Sequence, residues 1–558
     1  MWLYRSAMFT RISRSGGRAY LQIVEAYRND SGAPRQRVVA NLGRLDQLTG
    51  KDLASLIGGL QRAAGAAPHA APAIVFESSK AFGDLYALHA LWSDLGLEAA
   101  LSKALRSSRR QFDAQALVRV MVFNRLCDPE SKLGVLRWLD TVAMPGLAQT
   151  ISHDQLLRAM DALMDRVDEV EAAVAAQLRP LLDDELSVVF YDLTTIRIHG
   201  EHEVQGDVRA FGLNKQTGTI ARQFVLGVIQ TADGLPIAHQ VHAGNVGEVS
   251  TLIPMIEATL KRYALKRVVL VADRGLLSLD NLAAIEALKT PKGVPIEYIL
   301  AVPGRRYGEF AELVRDTAIR DGVGETRWQS RRLVIAHDED RAQRQHASRR
   351  AEIARISEDG ERLAKRLDND DAGLPQRGRK STDRKAYLRF SEAVKSAGLS
   401  RILKADLNAD RFSFDIDEDA ITHAEQLDGK LLLVTNTPFK PADVIDRYKA
   451  LADIERGFRV LKNDIDIAPV HHRLPERIRA HALICFLALV LHRVTRKRLR
   501  ENRSPLSPQR AFATLRQIQR HRVELDQKPF TGTSRITPEQ ADLFKALKLS
   551  PPPESNSL

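Results

Sequence analysis

The sequence has little cysteine. Only Cys127 and Cys485 occur in its 558 residues, which excludes a disulfide framework and a four-cysteine zinc site. Both lie among apolar neighbours, so we expect buried thiols in a reducing compartment rather than thiol chemistry. No Cys/His pair has zinc-finger spacing. The histidines are therefore expected in packing, on the surface or against phosphate, and not as metal ligands.

Long hydrophobic runs are also missing. The longest, Ala482–Leu491, is too short to cross a bilayer, which takes about 20 residues, and we expect it to form a buried helix. Met1–Thr10 is short and mixed in character, unlike a secretory signal. The sequence therefore predicts a cytoplasmic protein without membrane contact.

Basic residues are in excess. There are 82 Lys and Arg against 70 Asp and Glu, a net charge of +12. That sign favours a polyanionic partner, although charge alone does not identify nucleic acid. The apolar content of 44% is that of a folded protein, and the length allows about three or four domains.

Changes of pattern along the chain predict six regions. The first is a small basic β module whose hairpin joins Tyr20–Tyr27 to a strand around Arg37–Ala40. A helical block follows, with Ser152 as a helix cap, and then an α/β core interrupted by an inserted domain with a charged helical arm. The predicted bounds are 1–65 for the β module, 78–182 for the helical block, 186–303 and 428–475 for the two parts of the core, 304–427 for the insertion, and 476–550 for a basic helical C-terminal region.

The core is predicted to contain a mixed α/β sheet. Apolar strands are expected at Ser187–Tyr191, Arg222–Ile229 and Ile237–His242. Two more, Arg267–Ala272 and Glu297–Val302, alternate with helices. Strands that first run consecutively and then alternate with helices are typical of a mixed sheet.

Two aspartates directly follow apolar strands. Asp192 comes after Ser187–Tyr191, and Asp273 comes after Arg267–Ala272. Carboxylates at the ends of neighbouring strands can share a metal site, and Mg²⁺ prefers such ligands together with water and phosphate. Two ions can serve the attacking and the leaving oxygen of a phosphodiester. The alternative for each aspartate is an ordinary turn or cap residue.

Glu455 is the third candidate carboxylate. If Tyr448–Lys462 forms one helix at 100° per residue, Glu455 shares a narrow sector with Tyr448, Leu451 and Lys462. An adjacent apolar stripe of Ile454, Phe458, Leu461 and Ile465 would pack on the sheet and leave Glu455 at its edge. An amphipathic helix with a solvated Glu455 is the alternative.

The same segment, YKALADIERGFRVLK, resembles the signature of IS4-type DDE transposases. That signature has a Tyr, an Arg three residues on, a Glu seven on and a Lys fourteen on. Tyr448, Glu455 and Lys462 match it, whereas Leu451 stands where the Arg belongs. This departure casts doubt on a mechanism that passes through a DNA hairpin intermediate with a clamped, flipped base. It does not affect the proposed metal ligands.

Further motifs resemble this family, in the same order along the chain. Tyr191–Thr195 and Val271–Gly275 resemble the first and second Asp motifs, and Gly244–Glu248 matches a G-N-x-x-acid turn. His472–His481 resembles the basic segment after the catalytic Glu, and the N-terminal hairpin is similar to that of the IS1634-like subgroup. The family also carries a largely β domain inserted before the Glu.

The resemblance implies a fold and an activity. The fold would be α/β, with a ribonuclease-H-like (retroviral integrase-like) core, a mainly β insertion and flanking helical DNA-binding regions. Asp192, Asp273 and Glu455 would be catalytic and would bind two Mg²⁺ ions, which Mn²⁺ could replace. Phosphodiester hydrolysis at the transposon ends would free 3′ hydroxyls for strand transfer into target DNA.

The resemblance also implies partners. These are double-stranded DNA, as transposon ends and as target, and a second copy of the chain in a homodimeric synaptic complex in the bacterial cytoplasm or nucleoid. The Arg493–Arg500 cluster is expected to follow a DNA backbone. Individual DNA contacts are expected from Tyr448, Lys462, Arg459, Arg274, Arg473 and Arg477.

Three other functions stay open. One is a DNA-binding regulator without catalysis, which all three acidic residues argue against. The second is a nuclease of the same fold without strand transfer. The third is a hydrolase of small phosphates, which leaves the basic flanking regions unexplained.

Overall fold

A computed structural model describes the chain in two compact units. The described residues are 7–65, 74–107, 111–147, 150–182, 187–200, 207–213, 219–263, 265–272, 279–374, 381–468, 470–525, 528–553 and 555–556. Unit 1 comprises Met1–Ser79, His521–Gly532 and Asn556–Leu558, and unit 2 comprises Lys80–Arg520 and Thr533–Ser555.

Unit 1 begins with a three-stranded antiparallel sheet. Its strands are β1 (Ala7–Ser15), β2 (Arg18–Arg28) and β3 (Pro34–Arg44), paired in that order. The predicted hairpin corresponds to β2 and β3, whereas β1 is an addition, because its polar and mostly exposed residues give no clear strand pattern. Helix α1 (Gly50–Ala63) follows behind a capping box of Thr49 and Asp52. Strand β4 (Ile74–Ala81) comes next.

Unit 2 opens with the predicted helical block. Its helices are α2 (Gly83–Asp94), α3 (Leu97–Ala104), α4 (Ala114–Cys127), α5 (Lys132–Thr141), α6 (His153–Asp165) and α7 (Val167–Leu178). Ser152 caps α6, as predicted, since its hydroxyl accepts a hydrogen bond from the Gln155 backbone N–H at 3.2 Å. Apolar side chains of all six helices enter the main core of the unit.

A mixed sheet forms the centre of unit 2. The strands and helices of its first part are β5 (Ser187–Arg197), β6 (Ala210–Leu213), β7 (Ile220–Thr231), β8 (Pro236–Ala243), α8 (Glu248–Tyr263), β9 (Val268–Ala272), α9 (Leu279–Ala287) and β10 (Glu297–Ala301). β7 is antiparallel to β5, β6 and β8, whereas β9 is parallel to β5 and to β10. The five predicted strands are all present, and the mixed α/β prediction is confirmed.

The region 304–427 differs from the prediction of a mainly β insertion. Its elements are α10 (Ala311–Asp316), β11 (Val323–Trp328), β12 (Arg331–His337), α11 (Glu339–Asp371), α12 (Asp383–Ser396), β13 (Leu403–Asp406), β14 (Ser413–Ile416) and α13 (Glu418–Gln426). β11 and β12 extend the central sheet, because β12 pairs with β15 (Lys430–Thr435). The remaining described residues of the insertion are mainly helical, and β13 and β14 form a small sheet of their own.

The helical insertion has its own apolar core. Ile356 of α11 and Phe390 of α12 are buried in it, together with Phe412 beside β14. Gly360 permits the close approach of α11, because a Cβ there would lie 2.6 Å from the rings of both Phe390 and Phe414. The mainly β prediction was therefore wrong, and the charged arm predicted within the insertion corresponds to α11.

The last part of the chain is more buried than its basic composition suggests. After β15 come α14 (Pro441–Lys449), α15 (Ala452–Arg459), α16 (Pro475–Glu501), α17 (Pro508–Arg516), β16 (Gln519–Leu525), β17 (Lys528–Thr533) and α18 (Pro538–Ala546). The prediction that 476–550 is helical missed the strands β16 and β17. These two strands pair with each other, and β16 also pairs with β4.

Helix α16 is the central helix of unit 2. Among the described residues it alone is long and apolar enough to span a membrane, with a window of mean hydropathy 1.5, yet 94% of that window is buried inside the protein. It packs against α4, α6 and β8. The predicted buried helix at Ala482–Leu491 is confirmed by the complete burial of that run, apart from the 5% exposed Phe486 and the 1% exposed Leu483.

Candidate active site

Asp192 lies inside β5 and not at its end. The described parallel pairing of β5 with β9 reaches Tyr191 and Ala272, and the antiparallel pairing with β7 continues to Arg197. β5 therefore runs on past the predicted strand end at Tyr191. Asp192 is half-buried, and its Oδ1 accepts a hydrogen bond from the Leu193 backbone N–H at 2.7 Å.

Asp273 and Arg274 lie outside the described residues. The residue before Asp273, Ala272, is fully buried at the last position of β9. Its register partner on β5 is Tyr191, the residue before Asp192. Neighbouring strands are about 4.8 Å apart, so the chain positions that lead into the two aspartates are direct neighbours in the sheet.

The backbone of Glu455 belongs to α15, and its side chain lies outside the described set. Helix α15 packs against β5, the strand that carries Asp192. Of the predicted apolar stripe, Phe458, Leu461 and Ile465 are buried in the main core, and the side chain of Ile454 lies outside the described set. The chain segments of the first and third predicted carboxylates are thus in contact.

The prediction of one continuous helix at Tyr448–Lys462 is wrong. Helix α14 ends at Lys449, and the Leu451 backbone N–H bonds to the Tyr448 carbonyl at 3.0 Å, a step of three residues instead of four. The segment ends in a π-helical turn at Val460–Asp464. The rotation of 100° per residue therefore does not hold across the whole segment. Helix geometry alone then does not place Tyr448, Leu451, Glu455 and Lys462 in one narrow sector.

Leu451 is part of a second apolar cluster. It is 7% exposed and packs with Val444 and Ile445 of α14, which cover one face of the central sheet. The half-buried Tyr448 packs against the same cluster. The leucine at the position of the family's Arg therefore has a packing role.

Lys462 is within electrostatic range of Asp192. Burial lowers the pKa of the half-buried Lys462 ammonium, and the negative charge of Asp192 partly opposes that shift. Two of the residues singled out from the sequence thus interact electrostatically.

The arginines that were predicted to contact DNA differ in how accessible their side chains are. Arg459 and Arg473 are exposed. Arg477 is engaged in a bidentate ion pair, since its Nε and Nη2 donate to the two carboxylate oxygens of Asp161 at 2.8 and 2.9 Å. In the predicted backbone-following cluster, Arg493 is only 5% exposed.

A close helix contact beside Glu455 escaped the sequence analysis. A Cβ on Gly457 would lie 2.8 Å from Arg493 Nη2 and 2.9 Å from Gln230 Nε2. Gln230 of β7 is completely buried. Helix α15 therefore lies close to β7 and α16 at Gly457, where a larger residue would displace the ends of these two side chains. A glycine within a helical pattern is the one signal that points to such a contact.

No group of three His, Cys, Asp or Glu residues able to hold a metal occurs in the part of the chain that the structure describes. Two of the three predicted ligands, Asp273 and the side chain of Glu455, lie outside that part.

Comparisons with known proteins assign the class. A model of the transposase DDE domain matches residues 183–491, more than half of the chain. A model of the N-terminal domain of IS1634 family transposases matches residues 9–72. The chain therefore belongs to the DDE transposases, and within them it is IS1634-like.

The chain was also compared with curated proteins and with solved structures. No curated protein matches the chain. The cryo-EM structure of the piggyBac transposase synaptic complex with hairpin DNA is similar over 80% of this chain and 82% of that chain, with 8% sequence identity and a TM-score of 0.37.

Proposed function

We propose that this transposase binds the terminal inverted repeats of an insertion sequence, hydrolyses the phosphodiester bonds at its ends and transfers the freed strands into target DNA. The observation that supports this most directly is the register of β5 and β9. It makes neighbours of the residues that precede Asp192 and Asp273, and α15, with Glu455, packs against the same strand.

We further propose a ribonuclease-H-like core. The supporting observation is the order of the strands. β5, β6, β7 and β8 follow each other in sequence, with β5, β6 and β8 each antiparallel to β7, and β9 and β10 then continue the sheet in parallel, each preceded by a helix. The same order, with consecutive strands followed by strands that alternate with helices, was predicted from the amino-acid sequence.

Asp192, Asp273 and Glu455 are the residues proposed to hold two divalent ions, Mg²⁺ or Mn²⁺. DDE transposase domains generally use divalent metals, and the half-buried Asp192 carboxylate on β5 is the kind of oxygen ligand that Mg²⁺ takes. When bound, such ions supply charge stabilisation to the attacking and leaving oxygens of the phosphodiester.

The residues around the carboxylates have their own tasks. Lys462 interacts electrostatically with Asp192. It is proposed to present its positive charge to a DNA phosphate near the cleavage site. Exposed Arg459 and Arg473, together with Tyr448 and Arg274, are proposed as further DNA contacts. For Arg477 such a contact would require release of its ion pair with Asp161.

A cleavage assay tests the proposal. The substrate is the DNA that flanks the reading frame, with its inverted repeats, and the readout is nicking in the presence of Mg²⁺. Asp192→Asn should abolish nicking and leave DNA binding intact. Asp419→Asn, a change of an exposed carboxylate on α13, is the matched control and should cut at the wild-type rate.

The outcomes separate the remaining functions. Binding to these ends without cutting in either Mg²⁺ or Mn²⁺ would establish a DNA-binding regulator. Cutting without joining of pre-cut ends to a target would establish a nuclease without strand transfer. We propose that the active form is a homodimer in the bacterial cytoplasm, because two ends must be held together.

A further inference from the structure

Unit 2 contains a cavity of about 620 Å³ that Asp192 does not line. Its walls come from the end of α4, the start of α5, α6 and the chain that leads into α16. The wall carries four cations, Arg125, Lys132, Arg473 and Arg477, against two carboxylates, Glu130 and Asp466. The volume falls within the range of roughly 300–1,000 Å³ that small-molecule sites occupy.

Lys132 is a buried cation in this wall. Its side chain begins α5 and is 6% exposed. It has neither a hydrogen-bond nor an ion-pair partner among the residues that the structure describes. Burial, reinforced by the nearby charge of Arg125, lowers the pKa of Lys132 to about 7. An unpaired buried ammonium is costly, and an anion in the cavity would remove that cost.

Arg125 provides a second buried cation beside Lys132. It is 4% exposed, and its guanidinium donates to the Asp466 carbonyl at 3.1 Å, to Asn124 Oδ1 at 3.3 Å and to the Glu130 carbonyl. None of these acceptors carries a charge. The guanidinium is therefore held in place by hydrogen bonds to neutral groups, while the charges of Asp466 and Glu130 act on it without a direct ion pair.

Two neutral imidazoles complete the wall. Burial lowers the pKa of His472 to about 3 and that of His481 well below its ordinary value. His481 Nε2 lies 3.1 Å from the Ile467 carbonyl and must donate to it, so Nδ1 is the acceptor nitrogen, and Nδ1 is buried without a partner among the described residues. The wall thus combines two buried cations with a free neutral acceptor.

We propose that this cavity binds the phosphate of a nucleotide, with Lys132 and Arg125 as the counter-charges. The phosphate belongs either to the terminal nucleotide of a DNA strand or to a free nucleoside monophosphate. The first source rests on the proposed function, and it is favoured by the exposed Arg473 at the cavity wall, which can meet the next phosphate of a strand.

The test compares fluorescent oligonucleotides that carry a 5′-phosphate or a 5′-hydroxyl. Fluorescence anisotropy with the full chain at fixed salt should show about tenfold tighter binding of the phosphorylated oligonucleotide, as expected for one charge-assisted contact. Lys132→Met should abolish this preference, and Lys261→Met, a change of an exposed lysine on α8, should retain it.

Competition by a nucleoside 5′-monophosphate distinguishes the two sources. Displacement of the phosphorylated oligonucleotide by the monophosphate at a concentration similar to the Kd of the oligonucleotide would assign the cavity to a free nucleotide. Displacement only at a concentration at least a hundredfold higher would assign it to a strand end. A preference that persists in Lys132→Met would overturn the proposal.

A second measurement does not depend on the folding of any variant. Wild-type protein should melt at a higher temperature in saturating nucleoside monophosphate than in an equal ionic strength of chloride. The absence of both this shift and the 5′-phosphate preference in wild-type protein would refute the site. Asp192→Asn should keep the preference. Wild-type protein that shows the preference but never cuts DNA in Mg²⁺ or Mn²⁺ would refute the proposed function alone.

Discussion

The close contact at Gly457 allows a sharp test of how α15 is positioned. In Gly457→Ala the new methyl group would lie 2.8 Å from Arg493 Nη2 and 2.9 and 3.0 Å from the amide atoms of Gln230. Both contacts are ends of long side chains, but Arg493 is 5% exposed and Gln230 is not exposed at all. Neither side chain can turn into solvent, so these side chains or the helix must shift to admit the methyl group.

The magnitude follows from two opposing effects. Overpacking a buried site costs about 1–3 kcal/mol, whereas replacing glycine by alanine within a helix returns roughly 0.5–1 kcal/mol. The difference of the mid-range values is about 1 kcal/mol, which we expect as the net loss in the free energy of unfolding, measured by urea denaturation. Because Glu455 lies two residues away on the same helix, we also expect at least about a tenfold loss of nicking.

Two further variants make this result interpretable. Gly304→Ala is the control, because nothing lies within 4 Å of a Cβ at that position, and it should change neither stability nor nicking. Gln230→Ala combined with Gly457→Ala should recover part of the activity by making room for the methyl group. Gly457→Ala with wild-type stability and wild-type nicking would refute the close contact.

The remaining predictions concern one buried leucine and two ion pairs. Leu451→Arg, which introduces the residue usual in the family, should lower the free energy of unfolding by about 3 kcal/mol, because it buries an unpaired charge in an apolar cluster; a stable and more active variant would contradict this. Arg477→Ala and Asp161→Ala should show a coupling of about 0.5–1 kcal/mol in a double-mutant cycle of unfolding, as partly exposed pairs do, and additive losses would show that the pair does not form. Arg516→Met should cost about 3 kcal/mol, because Asp84, 1% exposed, loses its cation, and Asp84→Asn in the same chain should restore part of that loss.

The central sheet could be predicted from the sequence because its strands are apolar and continuous. The predicted Arg267–Ala272 differs from β9 by one residue, and Glu297–Val302 differs from β10 by one. The membership of β11 and β12 in the same sheet could not be predicted, since it depends on the pairing of β12 with β15, far along the chain.

The candidate site was less predictable in its geometry than in its residues. The apolar pattern before Asp192 does not reveal that β5 continues to Arg197, because that extension is due to pairing with β7. The turn at Leu451 likewise depends on the second apolar cluster, which no local periodicity reports. The mainly β insertion was expected from the family alone, whereas the charged arm was read correctly from its own residues.

The way in which the helical insertion leaves and rejoins the sheet has a consequence for how this protein tolerates change. His337 at the end of β12 and Lys430 at the start of β15 are register partners, and the Asp338 backbone N–H bonds to the Gly429 carbonyl at 3.0 Å. The whole insertion therefore occupies the place of a hairpin loop. The entropy of closing a loop rises only slowly with its length, so additions and deletions at this point are inexpensive for the sheet. The insertion can diverge in size and surface while the strands beneath it keep their register.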